Sequence, residues 1–381
     1  MMEGGDLFRG RVLFVDDEPT VLRGLERMLH RRRAEWDLMF AGTGAEALSM
    51  MAAKQTDIIV SDMRMPGLDG PELLAKVRER HPATTRIALS GNAEDSLVRR
   101  CVTVAHQYLS KPCSRQEVED LLERTFTLRE LLSDPELEAL TASLEKLPSS
   151  PAMYREICRE FEREEPCTNR VAAIIRSDPA MAAKVLQLAN SAFFRRRVPV
   201  ADVRQAVMHL GLSTIRTLVL GLEVFKPADG QLDLLQAEAL WSVSSRVAGL
   251  SLFALEILGF PKKVAEEGLS AGLLHLVGRI ATLHLEPAVV EDPDTVAHIG
   301  AYLLGIWGLP HSIVEAVAFQ NDPSASRATQ GSVLTGLYIA KHLAGAHRAQ
   351  PELDEQYFEQ IGLVADWERW RRAAQARESQ G

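Results

Sequence analysis

A chain of 381 residues exceeds what one ordinary hydrophobic core accommodates, so about two or three separately packed units are expected. With 46% hydrophobic and 25% charged residues the composition is that of a globular protein and excludes a disordered or fibrous chain. Forty-three Lys and Arg against 52 Asp and Glu leave a net charge of -9, which disfavours nucleic acid as a partner, because backbone phosphates are bound by a basic surface.

The opening Met-Met-Glu-Gly-Gly-Asp is polar and lacks the basic and apolar regions of an export leader. From Arg11 to about Arg129 short apolar runs alternate with helical patterns, the signature of a doubly wound parallel sheet. Strands are expected over Val12–Val15, Asp37–Ala41, Asp57–Ser61, Arg86–Leu89 and Gln107–Leu109. Helical spacing runs through Val21, Leu22, Leu25, Met28 and Leu29, and again through Leu73, Leu74 and Val77. A last helix opens at Ser114, with Glu117 placed to complete a capping box, and continues to Leu128.

Beyond Ser133-Asp134-Pro135 the alternation stops and helices joined by Pro and Gly breaks follow. Asp178-Pro179 caps one of them, and others are expected over Val203–Leu210, Ser213–Phe225, Leu234–Leu258, Val264–Leu285, Thr295–Trp307 and Ser312–Phe319. The most apolar helical stretch, Ala248–Phe260, is interrupted by Glu256 and is shorter than a membrane span. Cys101, Cys113, Cys158 and Cys167 form no metal or disulfide spacing and read as thiols in a reducing compartment, so a cytoplasmic protein is expected.

In an open parallel sheet, chemistry gathers at the carboxyl ends of the strands. Asp16 and Asp17 follow the first strand, Asp62 the third, Ser90 the fourth and Lys111 the fifth. Three carboxylates on one edge repel one another unless a cation shares them, and hard oxygen donors suit Mg²⁺. With that charge present a carboxylate can act as nucleophile towards a phosphoryl group, Lys111 can pair with phosphoryl oxygens, and Ser90 can donate its hydroxyl.

Four motifs fall in order at these strand ends: Val-Asp-Asp-Glu-Pro at 15–19, Ser-Asp-Met-Arg-Met-Pro-Gly-Leu-Asp-Gly at 61–70, Leu-Ser-Gly at 89–91 and Tyr-Leu-Ser-Lys-Pro at 108–112. They resemble the receiver domains of two-component response regulators. The resemblance implies a five-stranded flavodoxin-like receiver over residues 9–130 with Asp62 as phosphoacceptor. It further implies Mg²⁺ held by Asp16, Asp17, Asp62 and the main-chain carbonyl of Arg64, Ser90 and Tyr108 as the switch pair, and Lys111 as the conserved cation. Arg64 and Asn92 stand where phosphoryl lifetime is tuned. A sensor histidine kinase or phosphotransfer protein is the implied donor, and a homodimer through the fourth helix, fifth strand and fifth helix is the implied assembly.

The helical part carries Leu-Pro-Ser-Ser-Pro-Ala-Met-Tyr at 147–154, Ser-Asp-Pro-Ala-Met-Ala-Ala-Lys-Val-Leu-Gln-Leu-Ala-Asn-Ser-Ala-Phe-Phe at 177–194, His-Leu-Gly-Leu at 209–212 and Ala-Gly-Leu-Leu-His-Leu-Val-Gly-Arg at 271–279. This part resembles HDOD domains, relatives of the HD metal phosphohydrolases, and implies an all-α HD-related domain over 135–345 followed by a helical tail over 346–381. A catalytic HD site needs an adjacent His-Asp pair and further His ligands. Here the pair reads His275-Leu276, the upstream helix reads Trp-Ser-Val-Ser-Ser-Arg at 241–246, and the downstream His-His position reads Gln320-Asn321. No metal is therefore expected in this domain, and its expected role is contact with an unknown downstream protein. The alternative is a metal-dependent phosphohydrolase acting on cyclic di-GMP. Asn190 and Ser191 read as a helix cap or hydrogen-bond anchor, with a ligand contact as the other possibility.

Overall fold

The computed structural model describes residues 9–91, 100, 104–130, 151–190, 199–217, 219, 234–282, 292–326, 328–345, 353–363 and 367–378. Contacts divide the chain into two compact units. The first holds a five-stranded, all-parallel sheet in the order β2-β1-β3-β4-β5. Its strands are β1 (Gly10–Val15), β2 (Trp36–Ala41), β3 (Ile58–Asp62), β4 (Thr85–Ser90) and β5 (Gln107–Ser110). The helices are α1 (Pro19–Met28), α2 (Gly44–Ala53), α3 (Gly70–Arg80) and α4 (Arg115–Glu130). The expected fourth receiver helix falls on residues 92–99 and 101–103, outside the described residues, so α4 is the receiver's fifth.

The strands are legible as continuous apolar runs because helices cover both faces of the sheet. Leu13, Val15 and Ile59 pack with Leu73, Leu74 and Val77 of α3, whereas Val12, Phe14, Ile58 and Val60 pack with Leu122 and Phe126 of α4. Gly10 is required where α4 crosses β1, since a Cβ there would lie 2.1 Å from the Phe126 ring. At its start α4 forms the expected capping box: the Ser114 N–H donates to Glu117 Oε2 at 2.8 Å and the Glu117 N–H to Ser114 Oγ at 3.3 Å. At its other end Arg129 donates to the Ala83 carbonyl at 2.9 Å and pairs with Asp57 at 2.9 Å.

The second unit is built of helices and turns, with no strand among its described residues. It contains α5 (Pro151–Phe161), α6 (Thr168–Arg176), α7 (Pro179–Ala189), α8 (Val203–Arg216), α9 (Leu234–Ile257) and α10 (Lys262–Leu274). There follow α11 (Val277–Ala281), α12 (Pro293–Ile306), α13 (His311–Ala318), α14 (Val333–Leu343), α15 (Glu355–Gln360) and α16 (Trp367–Glu378). Asp178 caps α7, accepting from the N–H groups of Ala180 at 2.9 Å and Met181 at 3.1 Å.

The two helices expected on either side of Gly211 meet in a kink at that residue and are labelled α8 together; its φ of 78° falls where glycine alone is unstrained, and Phe225 lies outside the described residues. Two expectations are corrected. The single helix expected over Val264–Leu285 breaks after Leu274. His275 Nδ1 bonds the Gly272 carbonyl at 2.6 Å, and Leu276 leaves helical geometry. The bend seats Gly278 on α12 so closely that a Cβ would lie 2.0 Å from the Val296 carbonyl oxygen, and Leu285 lies outside the described residues.

Second, α9 forms where the helix over Leu234–Leu258 is expected, but its apolar stretch is longer than Ala248–Phe260: Ala239–Ile257 has the length and mean hydropathy, 1.2, of a membrane span. Within the unit it is a packing helix: Val247 and Leu255 are fully buried, and Gly272 of α10 meets it so tightly that a Cβ would stand 2.6 Å from the Ala248 Cα. Gly272→Ala is therefore expected to lower the unfolding free energy by about 2 kcal/mol through overpacking. Denaturant unfolding measures this, with Gly24→Ala, whose Cβ would meet nothing within 4 Å, as control.

Candidate functional site

β1 and β3 are neighbours at the centre of the sheet, where the strand order reverses, and this switch point opens at their carboxyl ends. Asp16 follows β1 and is 1% exposed; Asp62 closes β3 and is 7% exposed. Lys111 arrives from the end of β5 and joins them, its Nζ 2.6 Å from Asp16 Oδ2 and in direct contact with Asp62 Oδ1. Each carboxylate keeps its other oxygen on a backbone donor: Asp16 Oδ1 accepts from the Glu18 N–H at 3.0 Å and Asp62 Oδ2 from the Arg64 N–H at 2.7 Å. Burial pulls the Lys111 amine down, but hydrogen bonds and charge from Asp16 and Asp62 outweigh it and hold the amine above the usual lysine value. The site is thus a cation clamped between two carboxylates.

The loop from Asp62 to α3 explains the glycine that ends its motif. The Gly70 N–H donates to the Met63 carbonyl at 3.2 Å, and a Cβ on Gly70 would lie 2.2 Å from the Asp62 carbonyl oxygen. Asp69 caps the helix by accepting from the Glu72 N–H at 3.0 Å. Of the remaining expected residues, Asp17 is exposed and stands outside the clamp. Ser90 closes β4 in register with Ser110, and Tyr108, opposite Ala88, is half-buried against the cluster containing Ala88 and Val104. Asn92 lies outside the described residues.

Among the described residues no three acidic, His or Cys side chains stand together as a ready metal-ligand group. Two carboxylates at an open strand edge nevertheless fit Mg²⁺, which takes one or two protein carboxylates and fills its other positions with water and phosphate oxygens.

In the second unit His275 is 3% exposed. Leu276 packs against Trp241 and Ile280. Gln320 donates through Nε2 to the His275 carbonyl at 2.9 Å and to that of Val317 at 3.1 Å, and Asn321 Nδ2 donates to the Pro293 carbonyl at 3.0 Å. One member of this network escaped the sequence reading. Lys341, on α14 and 5% exposed, donates to Asn321 Oδ1 at 2.6 Å and to the Gln320 carbonyl at 3.2 Å. Burial pushes its amine down to about 7, against the opposing charge of Asp294. The four polar residues tie together the ends of α10 and α13, the start of α12 and the last turns of α14. Asn190 is an anchor as well: its side chain donates to the Val200 carbonyl at 2.8 Å and accepts the Val200 N–H at 2.6 Å. Ser191 lies outside the described residues.

Comparison with known proteins divides the chain between two families. Residues 12–123 match the response regulator receiver domain, and residues 147–294 match the HDOD domain. The DNA-binding transcriptional regulator NtrC of Escherichia coli K12 is 36% identical over 120 residues, which are 31% of this chain and 25% of NtrC. Among solved structures, a receiver domain of an HD domain-containing protein from Pseudomonas fluorescens Pf-5 is 32% identical, covering 30% of this chain and 93% of that one with a TM-score of 0.29. The MmoQ response regulator of Methylococcus capsulatus is 21% identical over 59% of this chain and 98% of its own, with a TM-score of 0.46. The chain spans about a quarter of the length of NtrC, so the match concerns the receiver part. The chain is a response regulator. Within that class it belongs to the proteins that join a receiver domain to an HDOD domain.

Proposed function

We propose that this regulator accepts a phosphoryl group on Asp62 from a sensor histidine kinase or phosphotransfer protein, and that the modification switches an HDOD domain acting by contact with another protein. The observation that carries this reading is the Lys111 ammonium shared by Asp16 and Asp62 at the strand edge. An Asp62 carboxylate oxygen attacks phosphorus as the phosphorus–nitrogen bond to the donor imidazole breaks. Lys111 transfers its pairing to a phosphoryl oxygen, so that the new charge is met by a cation already in place. The Arg64 N–H continues to orient the carboxylate. Mg²⁺ held by Asp16, Asp17, Asp62 and the Arg64 carbonyl would supply the positive charge that lets a carboxylate approach a phosphate. Ser90 donates to the phosphoryl group and Tyr108 turns inward, biasing the face through which the receiver pairs with a second copy.

The helical domain is read as non-catalytic because Leu276 sits in an apolar cluster and Gln320, Asn321 and Lys341 bond one another where a metal phosphohydrolase needs ligands. This supports protein contact over hydrolysis of a signalling nucleotide, in a cytoplasmic setting. Incubation with a radiolabelled small phosphodonor and Mg²⁺ should label the wild type and leave Asp62→Ala unlabelled. Equal labelling of the two would refute the assignment.

A further inference from the structure

Apart from both sites, the first two helices of the second unit enclose a cleft of 450 Å³ whose lining includes four arginines. Arg155 and Arg159 stand one turn apart on α5, Arg163 follows the end of that helix, and Arg170 comes from α6. Among the described residues two carboxylates, Glu156 and Glu160, accompany them, giving an excess of positive charge in a chain whose net charge is -9.

The carboxylates do different work. Glu160 is 3% exposed, and its oxygens take the Cys167 N–H at 2.9 Å, Arg170 Nε at 3.2 Å and an Arg163 nitrogen at 3.3 Å. The Cys167 N–H, followed by the two arginines, holds this carboxyl below the usual range against the effect of burial. Glu160 is a strut that aims two guanidinium groups. Arg155 and Arg159 are exposed and make no ion pair among the described residues. Two aimed guanidiniums beside two unpaired ones match a ligand with at least two phosphate groups, since the planar fork of arginine binds phosphate oxygens in pairs. The cleft falls within the volume range of small-molecule sites. Half-buried Glu156 adds an acceptor for a hydroxyl or amino group, which inorganic pyrophosphate does not offer.

We propose that this cleft binds a nucleotide carrying two or more phosphate groups, held by Arg155, Arg159, Arg163 and Arg170 and oriented by Glu156. The site is separate from Asp62 and does not depend on how the receiver is read. Calorimetric titration of the full chain with ADP, inorganic pyrophosphate and adenosine tests it, with divalent cations removed so that the receiver edge takes no part. ADP should bind, pyrophosphate more weakly, and adenosine not at all, with affinity for ADP falling as salt rises. Arg155→Ala with Arg159→Ala should weaken ADP at least 10-fold while leaving the melting temperature unchanged, since neither arginine holds the fold. Glu156→Gln should narrow the gap between ADP and pyrophosphate. Absence of ADP binding to the wild type, or ADP binding undiminished in the double variant, overturns the site; equal affinity for pyrophosphate and ADP overturns its assignment to a nucleotide.

Discussion

Lys111→Met should lower the unfolding free energy of the receiver by about 3 kcal/mol, because removing one partner of a buried ion pair leaves an uncompensated charge, and here it leaves two. Asp16 and Asp62, 1% and 7% exposed, would face one another with nothing between them. Two further results should accompany the loss. Millimolar Mg²⁺ should stabilise Lys111→Met more than the wild type, since a cation that binds only the folded edge shifts the equilibrium by mass action and in the variant also ends the repulsion. Adding Asp16→Asn should recover most of the deficit, the coupling expected of residues in one network. Urea unfolding of the wild type, Lys111→Met, Asp16→Asn and the double variant at pH 7, with and without Mg²⁺, measures all three. A Lys111→Met protein as stable as the wild type would show that the clamp is no part of the folded receiver's stability.

The second large effect concerns Lys341. Its amine sits near 7 in the folded protein and near the ordinary lysine value of 10.5 in the unfolded chain. Between those values the unfolded chain holds a proton that the folded chain has released, so raising the pH favours folding; below about pH 7 both forms are protonated and the cost of burying the ammonium is present in full. Each pH unit contributes at most about 1.4 kcal/mol. From pH 7 to 9.5 the wild type should therefore gain a few kcal/mol relative to Lys341→Met, which has no group to titrate there. Comparing the two proteins removes the contributions of other groups. Parallel stability curves would mean that Lys341 reaches water.

The receiver edge was legible in the sequence because doubly wound topology brings strand ends together whatever the detail between them. Once β1, β3 and β5 are recognised as apolar runs, Asp16, Asp62 and Lys111 have to converge. Lys341 was not legible for the opposite reason. Its partners Gln320 and Asn321 follow α13, and their own partners are the carbonyls of His275 and Pro293, so the network exists only after four helix ends are packed. On α14 it lies in Tyr338-Ile339-Ala340-Lys341-His342, all of which are buried, so no polar stripe marks it. The bend at His275 was hidden similarly, since Leu273, Leu274, Val277 and Ile280 keep helical spacing across the break and only the approach of Gly278 to α12 demands it. In the arginine cleft the spacing of Arg155, Arg159 and Arg163 could be read as one helix face, but the buried strut Glu160 lies in a different register.

The anchoring of α4 constrains how news of Asp62 travels. The helix starts three residues after Lys111 and Pro112 and is fixed there by the Ser114 and Glu117 box. Its far end is moored at the opposite edge of the sheet, where Arg129 holds Asp57 and Ala83, and Arg9 pairs with Glu130 at 2.6 Å. Sixteen helical residues make a rod about 24 Å long. Held at both tips, and with Phe126 packed against Trp36 between them, this rod spans the sheet from the Lys111 end to the opposite ends of the strands as one stiff body.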